Sequence, residues 1–189
     1  GVEEPWNYGD STADWPIGPK HLSNVLRRVA EKSGYGKTMP KGHGLGLACH
    51  RSFHSYVAAA VHVIVRDDGS IAVPQVDMAI DCGRYVNPEG VRKQIEGAVI
   101  YGHSVAMHGQ ITTTRGAVDQ SNFHDYPVTR MDDAPLNVRV HLLEDFVHLR
   151  PCGVGEPGVP PYAPALINAI FAATGKRLRR LPIGEQLQA

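Results

Sequence analysis

Residues 53–81 read FHSYVAAAVHVIVRDDGSIAVPQVDMAID, and this stretch decides the fold. Its long apolar run ends at the sequence DDGS (67–70), where Asp-Gly supports the positive φ angles of a tight hairpin turn. We therefore predict a strand over 53–65 and a returning strand over 71–81. Apolar residues fill both alternating sets of positions in the first strand, so both of its faces should be covered. Pro74 predicts an edge or a bulge in the second strand.

Three helices are predicted around this hairpin. Apolar residues at three- and four-residue spacings over 20–33 indicate an amphipathic helix. A second helix should begin at Asn87, whose side chain can cap it, and should end at about Met107 or His108. A third helix is predicted over 163–174, with Pro in its first turn and Gly just after its end.

The remaining segments complete an α+β plan. Shorter strands are predicted over 110–114, 117–121, 137–144 and 178–183. Helices alternate with hairpins, so the fold class is α+β, a mixed or antiparallel sheet with packed helices. Residues 1–18 show no period and are interpreted as an irregular lead-in, which leaves 19–189 as the domain.

The composition is that of a globular chain. Hydrophobic residues make up 42% of the 189 residues, which excludes disorder for the bulk of the chain. With 19 basic and 19 acidic residues, the net charge of zero implies no general attraction to nucleic acid or to anionic membranes. No apolar run reaches the roughly 18–20 residues of a membrane span. The chain does not begin with Met, so we expect any targeting sequence upstream of Gly1, which leaves the compartment open between cytoplasm and periplasm.

The cysteines and histidines do not predict a metal centre. Cys49, Cys82 and Cys152 are odd in number and far apart, so we expect buried or partly buried thiols rather than a disulfide framework or an iron–sulfur site. His50 and His54 have the spacing of zinc ligands on a helix, but their segment is predicted to be loop and strand, where such residues lie apart. We predict no metal ligands in this chain.

The loop CGVGEPGVPP (152–161) is the first candidate site. Glu156 lies between Gly155 and Pro157; Gly lets backbone approach a ligand closely, and Pro restricts the residue before it. This construction can hold one carboxylate at the tip of a tight loop, as a general base requires. The alternative is a glycine- and proline-rich loop with a solvated Glu.

Gln94 is the second candidate, on the second predicted helix. It stands four and seven residues before Ala98 and Tyr101, in a mostly apolar stretch. Its amide could offer both a donor and an acceptor to a heterocycle. The alternative is a polar residue at a helix–helix contact. Gly97 and Gly102 in the same helix predict close packing against a neighbour, because glycine weakens a helix interior.

Three stretches carry a resemblance to a known family. They read AIDCGRYVNPEGVRKQIEGAVIYGHS (79–104), SNFHDYPVTRMDDAP (121–135) and GVGEPGVPPYAPALINAIFAATGKRLRRLPI (153–183). Together they resemble the C-terminal part of the large subunits of molybdenum hydroxylases, the relatives of xanthine dehydrogenase and aldehyde oxidase. The resemblance covers about residues 42–183, and within the family the sequence of these stretches is most similar to that of isoquinoline-oxidising members.

This resemblance implies a fold, an activity and two residue roles. The fold would be the C-terminal half of a molybdopterin-binding domain. The activity would be hydroxylation of a carbon in an isoquinoline-like N-heterocycle or an aldehyde, with water as the oxygen source. In the family the Glu of the GEP motif is the active-site base, which corresponds to Glu156, and the Gln of the QIEG motif contacts the pterin, which corresponds to Gln94.

The resemblance also implies cofactors and partners. A molybdenum–molybdopterin cofactor, with the cytosine dinucleotide as the expected form, would be held by the full-length large chain, and a separate small subunit would carry a [2Fe–2S] centre. The family's upstream glycine-rich cofactor loops are absent from these residues. We therefore expect a fragment of a longer subunit, which on its own holds no cofactor and is inactive.

Two other readings stay open at this point. One is a stand-alone, non-catalytic binding or assembly module that shares the fold. The other is a structural domain that binds zinc through Cys49, His50 and His54.

Overall fold

The predicted hairpin forms the middle of a four-stranded sheet. In the computed structural model, which describes residues 4–7, 9, 11–12, 16–144 and 149–188, the sheet order is β1-β2-β3-β6. The strands are β1 (His43–Ser52), β2 (Ser55–Val65), β3 (Ile71–Asp81), β4 (Thr113–Thr114), β5 (Ala117–Val118) and β6 (Val138–Leu142). The helices are α1 (Pro19–Ser33), α2 (Pro88–Met107) and α3 (Tyr162–Thr174). The α+β class is confirmed.

The sheet is mixed because its last strand runs parallel to its neighbour. β1, β2 and β3 pair antiparallel, whereas β6 pairs parallel to β3 with Val76 opposite Val138. The β2–β3 register shifts between His62 and Ile64, which pair with Gln75 and Ala72. Pro74 falls inside this irregularity, where a residue without an N–H does not break the ladder, so the predicted bulge is confirmed.

Local chemistry sets the helix ends as predicted. The Asn87 side chain accepts a hydrogen bond of 3.0 Å from the Gly90 N–H, which satisfies one of the free donors at the start of α2. Gly34 directly follows α1 and Gly175 directly follows α3, and both glycines adopt positive φ. Because glycine pays no steric penalty for this conformation, the chain can turn away from each helix there.

Helices cover both faces of the sheet. The side of α2 and α3 buries Val57, Val61 and Met78 with residues of both helices. The opposite side, under α1, buries a smaller group that includes Val25 and Val29 of the helix. Burial of the first strand on both faces is therefore confirmed.

Two expectations require correction or limitation. Residues 178–183 do not form a strand: the chain there is irregular, and Leu178 and Ile183 are buried against the α2–α3 side of the sheet without joining a ladder. The lead-in predicted over 1–18 falls partly outside the described residues, and within them Trp6 and Ile17 form an isolated bridge. Among the described residues, no helix is long and apolar enough to span a membrane.

Candidate functional site

The loop that carries Glu156 is fixed to the sheet at its first residues. The Gly153 N–H donates to the Phe53 carbonyl at 2.9 Å, and the Ser55 hydroxyl donates to the Gly153 carbonyl at 2.5 Å. One residue earlier, the Cys152 N–H donates to the Cys82 carbonyl at 3.0 Å. The loop is thus attached both to the β1–β2 turn and to the chain just after β3, so its base cannot shift without breaking backbone hydrogen bonds.

The far side of the same loop rests directly on α2. A Cβ atom on Gly158 would lie 2.8 Å from the Ala98 Cβ and 3.2 Å from the Ile95 Cδ1, so only glycine allows this approach. The Val159 N–H donates to the Glu156 carbonyl at 3.0 Å and closes a turn at the loop tip. Gly158 therefore has a packing role in addition to the flexibility expected from the sequence.

Glu156 stands at the exposed tip of this fixed loop. Its side chain is exposed, and no hydrogen bond or ion pair joins its carboxylate to the described part of the chain. At Gly155 an added Cβ would meet no atom within 4 Å, so the backbone beside Glu156 is open to a ligand. The arrangement presents one acceptor group from a rigid base, which is what proton transfer to a positioned carboxylate requires.

Gln94 lies on the outer side of α2, not at a helix–helix contact. It is exposed, as is Tyr101, whose relative exposure is 63%. Between them, Gly97 has open space where a Cβ would be, so this strip of helix backbone is accessible. The packing partner that we expected for Gly97 is absent from the described residues, whereas the one expected for Gly102 is present: an added Cβ there would lie 3.0 Å from the Tyr162 Cβ. The alternative reading of Gln94 as an interhelical contact is therefore wrong for this chain.

The two candidates lie around one contact, the place where the loop meets α2. Gly158 touches Ile95 and Ala98, which are one and four residues beyond Gln94 on the helix. Neither candidate side chain is needed to hold this contact, because glycine and apolar residues make it. Gln94 and Glu156 are both exposed around it, and both are free to meet a ligand.

A buried polar pair missed by the sequence analysis supports this region. His103 Nδ1 and the Tyr162 hydroxyl are 2.8 Å apart, and the two residues are 2% and 0% exposed. Burial lowers the pKa of His103 and raises that of Tyr162, so the ring is neutral and the hydroxyl keeps its proton. The pair joins α2 to the first residue of α3, and nothing in the local sequence marks it, since the two residues are 59 positions apart.

The zinc reading of Cys49, His50 and His54 does not match the geometry. Cys49 and His50 are consecutive residues of β1 and point to opposite faces of the sheet. His54 lies in the next turn, with its Nδ1 3.2 Å from Arg51 Nη2. Three residues so arranged cannot ligate one ion. No group of three or more His, Cys, Asp or Glu that could hold a metal occurs in the residues that the structure describes.

The cysteines follow the expectation in two cases of three. Cys82 is buried and Cys152 half-buried, but Cys49 is exposed on β1, which corrects the prediction for that residue. Burial raises the pKa of Cys82 to about 11, so its thiol stays protonated at neutral pH. All three are free thiols in the structure.

Comparison with known proteins identifies relatives for most of the chain. Residues 25–135 match the family described as a molybdopterin cofactor-binding domain; Gln94 lies inside that range and Glu156 beyond it. The beta subunit of isoquinoline 1-oxidoreductase from Brevundimonas diminuta is 36% identical over 84% of this chain and 20% of that protein. A nicotinate dehydrogenase subunit from Pseudomonas putida is 37% identical over 87% of this chain and 16% of that protein. The chain thus spans about a fifth of the length of these curated relatives.

The fold is shared with a solved structure. Quinoline 2-oxidoreductase from Pseudomonas putida 86 superposes with a TM-score of 0.62 at 21% identity, over 70% of this chain and 18% of that one. At this identity the likeness concerns the fold.

Proposed function

Because this chain belongs to the molybdopterin cofactor-binding domain family of the molybdenum hydroxylases, we propose that it acts as part of a molybdenum-dependent oxidoreductase. The reaction is oxidation of an aldehyde or an N-heterocycle, with water as the source of the added oxygen. The observation that carries the proposal is Glu156, whose carboxylate has no partner among the described residues, at the tip of a loop fixed at Gly153 and Gly158.

The proposal includes a domain organisation. Residues 19–189 are a C-terminal molybdopterin-binding subdomain preceded by a lead-in over 1–18, and they work within a longer large subunit. The relatives' lengths support this, because the chain matches about a fifth of each. A reading frame that continues several hundred codons upstream of Gly1 is the expected finding. An initiator codon just before Gly1 would instead favour the stand-alone binding or assembly module.

The exposed strip of α2 fits one side of a flat, polar cofactor. The Gln94 amide has both a donor and an acceptor free, and the open position at Gly97 lets a ligand reach the helix surface. A glycine in a helix interior costs about 1 kcal/mol relative to alanine, which access for a ligand would offset. Gln94 thus hydrogen-bonds the pterin. Molybdopterin supplies the redox chemistry when it is bound.

Glu156 acts as the general base. Its carboxylate accepts a proton from the oxygen that is transferred to the substrate. The hydrogen bonds at Gly153 and the contact of Gly158 with α2 hold this group in place, so no reorganisation is needed during the reaction.

The proposal extends to substrate and partners, and it rests on the name of one relative and on the resemblance of the sequence to its family. We assign an isoquinoline-like heterocycle as the substrate class, the cytosine dinucleotide as the cofactor form, and a small [2Fe–2S] subunit as a partner. The cysteine spacing of this chain supports a separate subunit for that centre. The 189-residue chain alone holds no molybdenum, and stoichiometric molybdenum in it would contradict this part of the proposal.

The test is Glu156→Gln in the full-length enzyme. This change keeps the size of the side chain but removes a proton acceptor, so substrate should reduce the metal centre about 10²–10⁴-fold more slowly in a single turnover. Molybdenum content should stay normal, and Glu31→Gln, at an exposed position of α1, is the matched control. Reduction at the wild-type rate with full molybdenum loading would show that Glu156 is not the base.

Gln94→Ala in the same enzyme separates cofactor binding from catalysis. Loss of a hydrogen bond that the bound pterin would cover should weaken cofactor retention by about 1–3 kcal/mol and lower the molybdenum content of the purified enzyme. Gln110→Ala changes an exposed glutamine just beyond α2 and should leave the content unchanged. Full molybdenum content in both variants would remove Gln94 from the cofactor site.

A further inference from the structure

Two histidines meet across the β1–β2 ladder, away from the loop and helix described above. His43 lies opposite Ile64 and His62 lies opposite Leu45, so the two histidines are diagonal neighbours on one face of the sheet. The Nδ1 atom of His43 is 3.0 Å from the Nε2 atom of His62. The ring centroids are 5.2 Å apart and the ring planes are tilted by 36°.

The separation of these nitrogens suits one shared cation. Two imidazole nitrogens bound to one ion at about 2.0–2.1 Å, with an angle of about 90–110° between the bonds, are about 2.8–3.4 Å apart. The observed 3.0 Å lies in that range, so the two nitrogens already have a ligating separation, and a shared ion requires only that the rings turn until both lone pairs point to it. Paired strands hold both backbones, so the geometry is pre-organised.

The surroundings leave room to complete the coordination. Both rings are half-buried, and His43 lines a cavity of about 520 Å³ between the α1–β1 loop and the end of α3. Burial, and then the neighbouring His43, lower the pKa of His62, which favours the neutral, ligating form. Lys37 and Lys41 also line the cavity and repel a bare cation, so water or a small anion would supply the remaining ligands.

We propose that His43 and His62 form a surface binding site for a borderline divalent cation of the Zn²⁺ or Ni²⁺ class. Imidazole is a preferred ligand of these ions, whereas Mg²⁺ prefers oxygen ligands and should not bind. This site differs from the Cys49, His50 and His54 set in that its ligands lie on one face of the sheet. It is independent of the molybdopterin proposal.

Calorimetric titration of the purified chain with Zn²⁺, Ni²⁺ and Mg²⁺ tests the site. We expect one saturable site for Zn²⁺ and for Ni²⁺, and none for Mg²⁺. His43→Gln and His62→Gln should each weaken binding by at least about tenfold. His50→Gln is the matched control, because His50 is an exposed histidine of the same strand on the other face, and its loss should change nothing.

Nitrogen NMR of the unaltered chain reads out the ligand atoms directly. One equivalent of Zn²⁺ should shift the resonances of His43 Nδ1 and His62 Nε2 and leave the nitrogen resonances of the other histidines unchanged. Three results would overturn the proposal: no saturable uptake, uptake that survives in the His43→Gln/His62→Gln double variant, or shifts confined to other histidines. Because the NMR measurement needs no substitution, misfolding of a variant cannot obscure the outcome.

Discussion

The two faces of the sheet are built by different means. On the side of α2 and α3 the core is large and apolar, and His103 with Tyr162 is a buried polar pair within it. On the side of α1 the apolar group is small, and buried carboxylates accompany it. Asp77 accepts from Arg139 at 2.7 Å and 2.9 Å and lies 2.8 Å from His141 Nε2.

The comparison separates two ways of covering a sheet. Long apolar side chains from two helices make one face a conventional core, and that is the face on which the Glu156 loop rests. The other face is covered by a single helix with an apolar stripe, and charged groups from neighbouring strands fill the remainder in hydrogen-bonded pairs. Stability should therefore respond mainly to side-chain volume on one face and to the removal of charge on the other.

The largest expected effect breaks the apolar face. Leu166 of α3 is fully buried, and Leu166→Ala should lower the free energy of unfolding by about 2–5 kcal/mol, because a cavity remains among neighbours that cannot collapse. Leu143→Ala is the same change in the smaller group under α1 and should cost less. Denaturant unfolding of both variants measures the difference, and an equal or larger cost at Leu143 would contradict the contrast between the faces.

A smaller effect should follow from removing one charge under α1. Asp77→Asn keeps the shape but weakens the hydrogen bonds from Arg139 and His141, and should cost about 1–3 kcal/mol of unfolding free energy. Asp68→Asn, in the exposed hairpin turn, provides the control and should cost less. If the two substitutions have equal effects in denaturant unfolding, the buried charge cluster does not stabilise this face.

The smallest expected effect is a dependence of stability on pH, to which each face contributes in a different pH range. Burial lowers the pKa of His103, so below about pH 6.5 the unfolded chain gains a proton that the folded chain resists, and stability falls. Burial alone would raise the pKa of Asp77, but hydrogen bonds from His141 and Arg139 outweigh it and lower the pKa, so its contribution is present above about pH 4 and is lost below. Urea unfolding between pH 3 and pH 8 should show both declines.

Variants assign these two declines to their groups. His103→Gln should flatten the decline just below pH 6.5, with the remainder supplied by His62 and His54, whose pKa values are also lowered by burial. Asp77→Asn should flatten only the decline at lower pH. If Asp77→Asn also removed the fall in stability below about pH 6.5, the titrations on the two faces would be coupled rather than independent.

Local signals predicted most of the elements. The Asp-Gly turn, the Asn87 cap and the apolar periodicities locate β2, β3 and the three helices to within about two residues, because each signal lies within its own segment. The strand predicted over 178–183 is wrong because its pattern reports only burial. Its apolar residues are buried, but burial alone does not give a segment a strand to pair with. Strand pairing needs a neighbour with an open edge, and no local pattern reports one.

The residues of the candidate site were likewise found from local motifs, whereas their surroundings depend on contacts between distant segments. The motif order identifies Gln94 and Glu156, but the exposure of Gln94 depends on which side of α2 meets the sheet. The pairs His103 with Tyr162 and His43 with His62 are invisible along the chain, because 59 and 19 residues separate their members.

By itself the sequence determined the hairpin, the helices and the α+β class, since turn chemistry, capping and periodicity act over a few residues. It also identified the family, through motifs that are contiguous in the chain. Only the tertiary structure decided that Gly158 seats the Glu156 loop on α2, and that Asp77 is buried with Arg139 and His141. These contacts join segments about 60 residues apart, and they form only when burial of the two apolar faces brings those segments together.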